Sequence, residues 1–362
     1  MSLNINRFPI ISITRQHGFG LIEVMIAMTL GLLILAGISQ YYVSGNHTDV
    51  TTQALNQITD NARFIANKLG REVRMANYTG PMRIASTNLL DVSAAIPLAY
   101  DLSEGIAGFD NLASGAIPTA LTTHINPNTL GPIPNTDVVV LRTTQDVQPV
   151  MLAADSTASN ITIQNVANSS RSCASGTPVS GICANDLLLI SDYRKVFFFQ
   201  ASSITSGGVI THTDAGTPGN NVTAWTETFT TVSEVIPYQT VTYFLAEGAN
   251  GQSALFRQET AEPAVEFIPN VANFQVTYGV DTNSDKSVDG SYLTAGAVTN
   301  WDNVLSVHFS LLLASENNGV VDTPMSVSAD PAFPDGTSTA PNGDRRLYKS
   351  LTFTAALRNR IQ

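Results

Sequence analysis

The sequence predicts an α+β fold in which one long N-terminal helix carries a large antiparallel, β-rich body. Three observations predict it. Residues 19–43 form an apolar run, a stripe of apolar residues at intervals of three and four continues to residue 76, and short β-branched or aromatic runs fill the chain from residue 137 onward. One helix followed by many strands, with no βαβ alternation, places a sheet against the helix stripe.

The chain opens with a leader, MSLNINRFPIISITRQHG (1–18), that contains Arg7 and Arg15 and no acid. From Phe19 to Val43 the plainly polar side chains are Glu23, Thr29, Ser39 and Gln40. A helix of about 25 residues at about 1.5 Å each crosses a hydrocarbon core roughly 30 Å thick, so this stretch reads as a membrane span. Arginines just before the span keep the N-terminus in the cytoplasm and send the body across. Glu23 is costly at that depth, about 2.5–3.5 kcal/mol on insertion scales, and invites a cationic partner. A cut after Gly18 would supply one, because Phe19 would then carry a free ammonium group level with a neighbouring copy's Glu23.

Gly18-Phe19-Gly20-Leu21-Ile22-Glu23, placed between a basic leader and an apolar helix, resembles the class III signal of type IV prepilins. The resemblance implies that prepilin peptidase cleaves after Gly18 and N-methylates Phe19, and that Glu23 serves in assembly. A removed secretory signal fits less well, since its apolar region has no use for an embedded acid and no A-x-A site follows.

Beyond the span, Leu55, Ile58, Ala62, Ile65, Leu69, Val73 and Ala76 form one stripe of an amphipathic helix, with Arg63, Lys68, Arg71, Glu72 and Arg74 mostly off it. One element from about Phe19 to Met75 is expected, its second half (44–78) amphipathic. Ser44-Gly45-Asn46 is the place where it would bend or divide into two helices. Residues 79–136, rich in Gly, Pro, Ala and Asn, read as a variable loop region with a short strand at residues 88–93.

Strands are expected at residues 137–142, 160–166, 186–191, 195–200, 235–246, 254–258, 273–279, 304–314 and 347–357, within a body spanning 137–362. Residues 201–222 and 316–344 read as long connections. The run Val271–Asp281, the stretch Asp285–Tyr292, Trp301 with Val304 and Val307, and the close YKSLTFTAALRNR resemble the PilW family of type IV pilus minor pilins. That resemblance implies a pilin-like fold and a structural role: insertion in the inner membrane, assembly with other minor pilins and the major pilin on an inner-membrane platform, and a place in a priming or tip complex at the cell surface. A minor pseudopilin of a type II secretion system shares the signal and the helix, and an adhesin module suits the size of the body; both readings stay open at this point.

Composition bounds the rest. A hydrophobic share of 43% supports a true core, while only 13% charged residues, replaced by Ser, Thr and Asn, suits an exported β-rich body. The net charge is −11, and loss of the leader makes it more negative, which disfavours nucleic acid as a partner. Cys173 and Cys183, on the oxidising side of the membrane, read as a disulfide that pins a turn-rich loop. In DTNSDKSVDGSY, Asp281, Asn283, Asp285, Ser287 and Asp289 occupy positions 1, 3, 5, 7 and 9 of a loop that could wrap Ca²⁺. Lys286 stands where that turn takes glycine and Tyr292 where it takes glutamate, so an acidic turn between strands is the competing reading. No nucleophile elbow, zincin, P-loop or dinucleotide motif is present, and no enzyme or other cofactor is expected. His47, His124, His212 and His308 read as packing or surface residues. Arg345, Arg346, Arg358 and Arg360 read as a small basic cluster.

Overall fold

The computed structural model describes residues 20–80, 86–91, 98–102, 104–110, 118, 121, 125, 130–166, 171–173, 176–260, 262–328 and 331–361. It divides into an N-terminal unit ending at Gln53 and a body, Ala54–Gln362.

Helix α1 runs as Leu21–Met75 without interruption. In its N-terminal part the large apolar side chains are exposed, from Leu21 at 80% to Val43 at 66%. The polar groups there are answered locally, as when the Thr29 hydroxyl donates to the Ile26 carbonyl at 2.9 Å. Thr48 and Thr52 back-bond one turn up the helix in the same way. No break into two helices occurs at Ser44-Gly45-Asn46. One glycine costs about 1 kcal/mol in a helix interior, too little to break a ladder that continues on both sides.

From Ala54 onward the helix is amphipathic in fact. Ala54, Ile58, Ile65, Leu69 and Val73 are buried, with Ala62 partly so. The stripe begins at Ala54 rather than Leu55, which is 39% exposed. Asn77 ends the helix in the left-handed region (φ 59°) and donates its N–H to the Arg142 carbonyl at 3.0 Å.

Two sheets receive that stripe. The larger one comprises β1 (Ser86–Asn88), β2 (Ile106–Phe109), β3 (Val138–Thr144), β4 (Val150–Ala154), β5 (Asn160–Ile163), β6 (Leu187–Ser191), β7 (Val196–Gln200), β8 (Ser203–Ile204), β9 (Val209–Thr211), β10 (Glu234–Glu247), β11 (Ser253–Glu259) and β12 (Val265–Pro269). β10 is its axis, because its first half pairs with β6 and β4 and its second half with β3 and β11. The smaller sheet is an antiparallel meander of β13 (Val271–Val280), β14 (Val304–Ala314) and β15 (Tyr348–Ala356). A final turn of helix, α2 (Arg358–Ile361), follows β15. The central core joins α1 to both sheets: Ile65, Leu69 and Val73 share one cluster with Leu141, Val241, Leu245, Phe274 and Phe309.

Every strand expected from the sequence has a counterpart, although the short run expected at 88–93 lies earlier, as β1. The stretch 201–222, read as a connection, contains β8 and β9, and 316–344 carries an isolated bridge between Ser326 and Thr339. These strands are only two and three residues long, too short for an alternating pattern to mark them in sequence. The four C-terminal arginines do not cluster either. Nine residues of extended chain, about 30 Å at about 3.4 Å each, separate Arg346 before β15 from Arg358 after it.

Candidate functional site

The N-terminus of α1 places Glu23 in the first helical turn, where its Oε2 accepts the Gly20 N–H at 3.0 Å. This is the reach-back of an N3 acid to the N-cap amide, and it also sets a negative charge at the positive end of the helix dipole. Glu23 is surrounded by exposed apolar neighbours: Ile22 is 71% and Ile26 53% exposed. A carboxylate in such a setting is served by backbone N–H groups on its own helix and keeps lone pairs for an external donor. Gly18 and Phe19 lie outside the described residues. By length and composition, α1 is able to cross a membrane.

The body holds the end of the helix with charged groups that the sequence did not single out. Glu72 is 5% exposed. Its Oε1 pairs with Arg257 Nη2 at 2.9 Å and Lys68 Nζ at 3.2 Å, and its Oε2 accepts the Tyr243 hydroxyl at 2.6 Å. Burial and the neighbouring Glu72 carboxylate push the Tyr243 phenol well above its ordinary value, so it stays a donor. At the helix end Asn359 of α2 donates to the Ala76 carbonyl at 3.0 Å. Glu72 follows the stripe residue Leu69 by three, the one signal of burial that its position offers.

Cys173 and Cys183 are joined in a disulfide, Cα to Cα 5.6 Å. The same loop is tied by Arg171, which reaches Asp186 Oδ1 at 2.7 Å and the Gly181 carbonyl at 3.0 Å, while Asp186 accepts the Cys183 N–H at 2.7 Å. Because the ion pair holds part of what the disulfide holds, Cys173→Ser with Cys183→Ser is expected to cost about 2–3 kcal/mol. A denaturant midpoint unchanged by the double replacement would show that the bridge adds nothing.

Asp281, Asn283, Asp285, Ser287 and Asp289 are brought into one turn after β13. Asp281 Oδ1 accepts the Ser284 N–H at 2.6 Å and its Oδ2 the Lys286 N–H at 2.9 Å. Asp285 accepts from the Ser287 N–H, and Asp289 from both the N–H and the hydroxyl of Thr282. Lys286 adopts φ 68°, the conformation glycine would supply more cheaply. Among the described residues no group of three His, Cys, Asp or Glu side chains is placed to hold a metal ion. His212 is buried against Trp225, ring centroids 4.1 Å apart, and His308 bonds Thr354 at 2.9 Å. His124 lies outside the described residues.

Residues 242–359 match the family model described as Type IV Pilus-assembly protein W, and residues 13–39 match the prokaryotic N-terminal methylation motif. Over these two segments the chain is similar to PilW-type pilus-assembly proteins and to prepilin-type N-termini. The PilW-matching segment contains Tyr243, Arg257 and Asn359, the groups that grip α1 from the body, and the methylation motif brackets Gly18, Phe19 and Glu23. Among solved structures, a type IV-like pilin from Thermus thermophilus is similar at 11% identity and a TM-score of 0.34, covering 84% of this chain and 98% of that one. No curated protein matches.

Proposed function

We propose that this PilW-like chain is a structural minor pilin of a type IV pilus. Prepilin peptidase cleaves after Gly18 and N-methylates Phe19, the N-terminus starts in the cytoplasm, and the body crosses the inner membrane. The subunit then joins other minor pilins and the major pilin, on the inner-membrane assembly platform, in a complex that primes the fibre and stays near its tip. The role involves no catalytic step. The observation that carries this reading is Glu23 in the first turn of an unbroken apolar helix, behind a methylation motif and ahead of a PilW-type segment. Gly31 and Gly37 support it, because glycines within a membrane helix let a neighbouring helix approach closely.

The test is the location of the protein in cells that make pili. A tagged chain should appear in sheared fibres only when prepilin peptidase is present. Its recovery in fibres without the peptidase would remove the processing step from the account.

We further propose Ca²⁺ at the Asp281–Asp289 turn, where Asp281, Asn283, Asp285, the Ser287 carbonyl and Asp289 would have to close around the ion. A Ca²⁺ titration of the full chain in detergent that releases no heat would leave a hydrogen-bonded acidic turn and no ion.

A further inference from the structure

β15 forms one outer edge of the smaller sheet and, among the described residues, pairs with β14 alone. Their register runs nine residues with no bulge, and β15 contains no proline. Leu357 N–H donates to the Leu305 carbonyl and Ser315 N–H to the Leu347 carbonyl, which fixes the odd residues of β15 as those bonded to β14. The N–H and C=O groups of Ser350, Thr352, Thr354 and Ala356 therefore point away from the sheet, and all four residues are exposed.

Folded proteins ordinarily blunt such an edge with proline, bulges or charge. This chain does so elsewhere. At the rim of the larger sheet, β12 is five residues long, is preceded by Pro263, ends on Pro269 and has a register shift against β11. The β15 edge has no proline and no bulge, and its one charged residue, Lys349, stands at its start.

Beside it lies a groove of about 230 Å³ between α1 and the sheet, with an apolar floor made by Ala62, Ala66, Leu313 and Leu351 and flanked by Arg63 and Lys349. Both cations are exposed, and among the described residues neither forms an ion pair with a carboxylate. Two unpaired cations at one apolar groove, on a chain of net charge −11, select a negatively charged visitor.

We propose that the β15 edge receives an extended, acid-bearing segment of a different subunit, which adds as a fourth strand, inserts an apolar side chain into the groove and sets a carboxylate against Arg63 and Lys349. Main-chain bonds to Ser350, Thr352 and Thr354 give the affinity, and the groove with its cations gives the selectivity. A second copy, which could offer its own β15 edge, is the competing occupant that the concentration dependence below separates from a different subunit. The inference rests on the reading of the chain as an assembled subunit.

Thr352→Pro tests it, because that N–H bonds nothing within the sheet and its removal affects only an added strand. The full chain carrying T352P is expected to fold, to keep the Cys173–Cys183 bridge and to lose incorporation into fibres about tenfold or more, whereas T352A incorporates normally. The exposed pair R63E with K349E, which leaves the backbone untouched, should lose incorporation likewise. In the wild-type chain the amides of Ser350, Thr352 and Thr354 should exchange about a hundredfold more slowly in assembled membranes than in purified protein. Normal incorporation of T352P or of the charge-reversed chain would overturn the proposal. So would protection of those amides in the purified chain on concentration, which would make the occupant a second copy. If Glu23→Val also incorporates normally, the assembly reading itself has failed; if Glu23→Val fails and T352P does not, only the strand addition falls.

Discussion

Replacing Glu72 with alanine is expected to destabilise the body by about 3–5 kcal/mol, the usual cost of breaking a buried ion pair by removing one partner. Arg257, whose side chain is only 14% exposed, would retain Glu259 but lose its bond to the helix, and the Tyr243 hydroxyl would lose its acceptor. Glu72→Gln keeps the shape and an acceptor for Tyr243 and should cost less. Removing both charges, Glu72→Leu with Arg257→Met, should recover much of the loss, because desolvating the pair offsets a large part of its Coulombic gain. Unfolding of the full chain in detergent, followed by denaturant titration, reads all three. A loss below about 1 kcal/mol for Glu72→Ala would mean that packing of the Ile58 to Val73 stripe alone secures the helix.

Glu23→Val is expected to lower incorporation into fibres by about tenfold or more while cleavage after Gly18 proceeds. An unpaired cation left in the apolar layer is costly, and each 1.4 kcal/mol is worth a factor of ten in an assembly equilibrium. Valine suits the lipid better than glutamate, so the variant should enter the membrane at least as well as the wild type. That separates the consequence for assembly from any failure of insertion. Normal incorporation of Glu23→Val would remove the carboxylate from the assembly mechanism.

The long helix was legible because two signals agree on it, an apolar run that needs no partner and a three-four stripe that does. The central strands were legible for a similar reason: DVVVLR, DLLLIS and VLSVHFSLLLA are buried on both faces and carry β-branched or large apolar residues throughout. β8 and β9 escaped notice because, at two and three residues, they are too short to leave a pattern among the glycines, serines and threonines around them, although Ile210 is fully buried. Glu72 was read as lying off the stripe because a charged residue beside an apolar stripe normally faces water. Only the fold shows that Arg257, 185 positions further on, arrives to meet it. The bridge between Cys173 and Cys183 was readable from count and compartment, whereas the Arg171–Asp186 pair beside it had no marker. The openness of β15 was also invisible in sequence, since which strand ends a sheet depends on topology rather than on local pattern.

The central claim concerns the first residues of the mature chain, and mass spectrometry of its N-terminus, in cells with and without prepilin peptidase, addresses it most directly. The account expects N-methyl-Phe19 as the first residue when the peptidase is present and an intact leader when it is absent. A chain that begins at Met1 or near Gln40 under both conditions would contradict it, and the assembly role of Glu23 would fall as well.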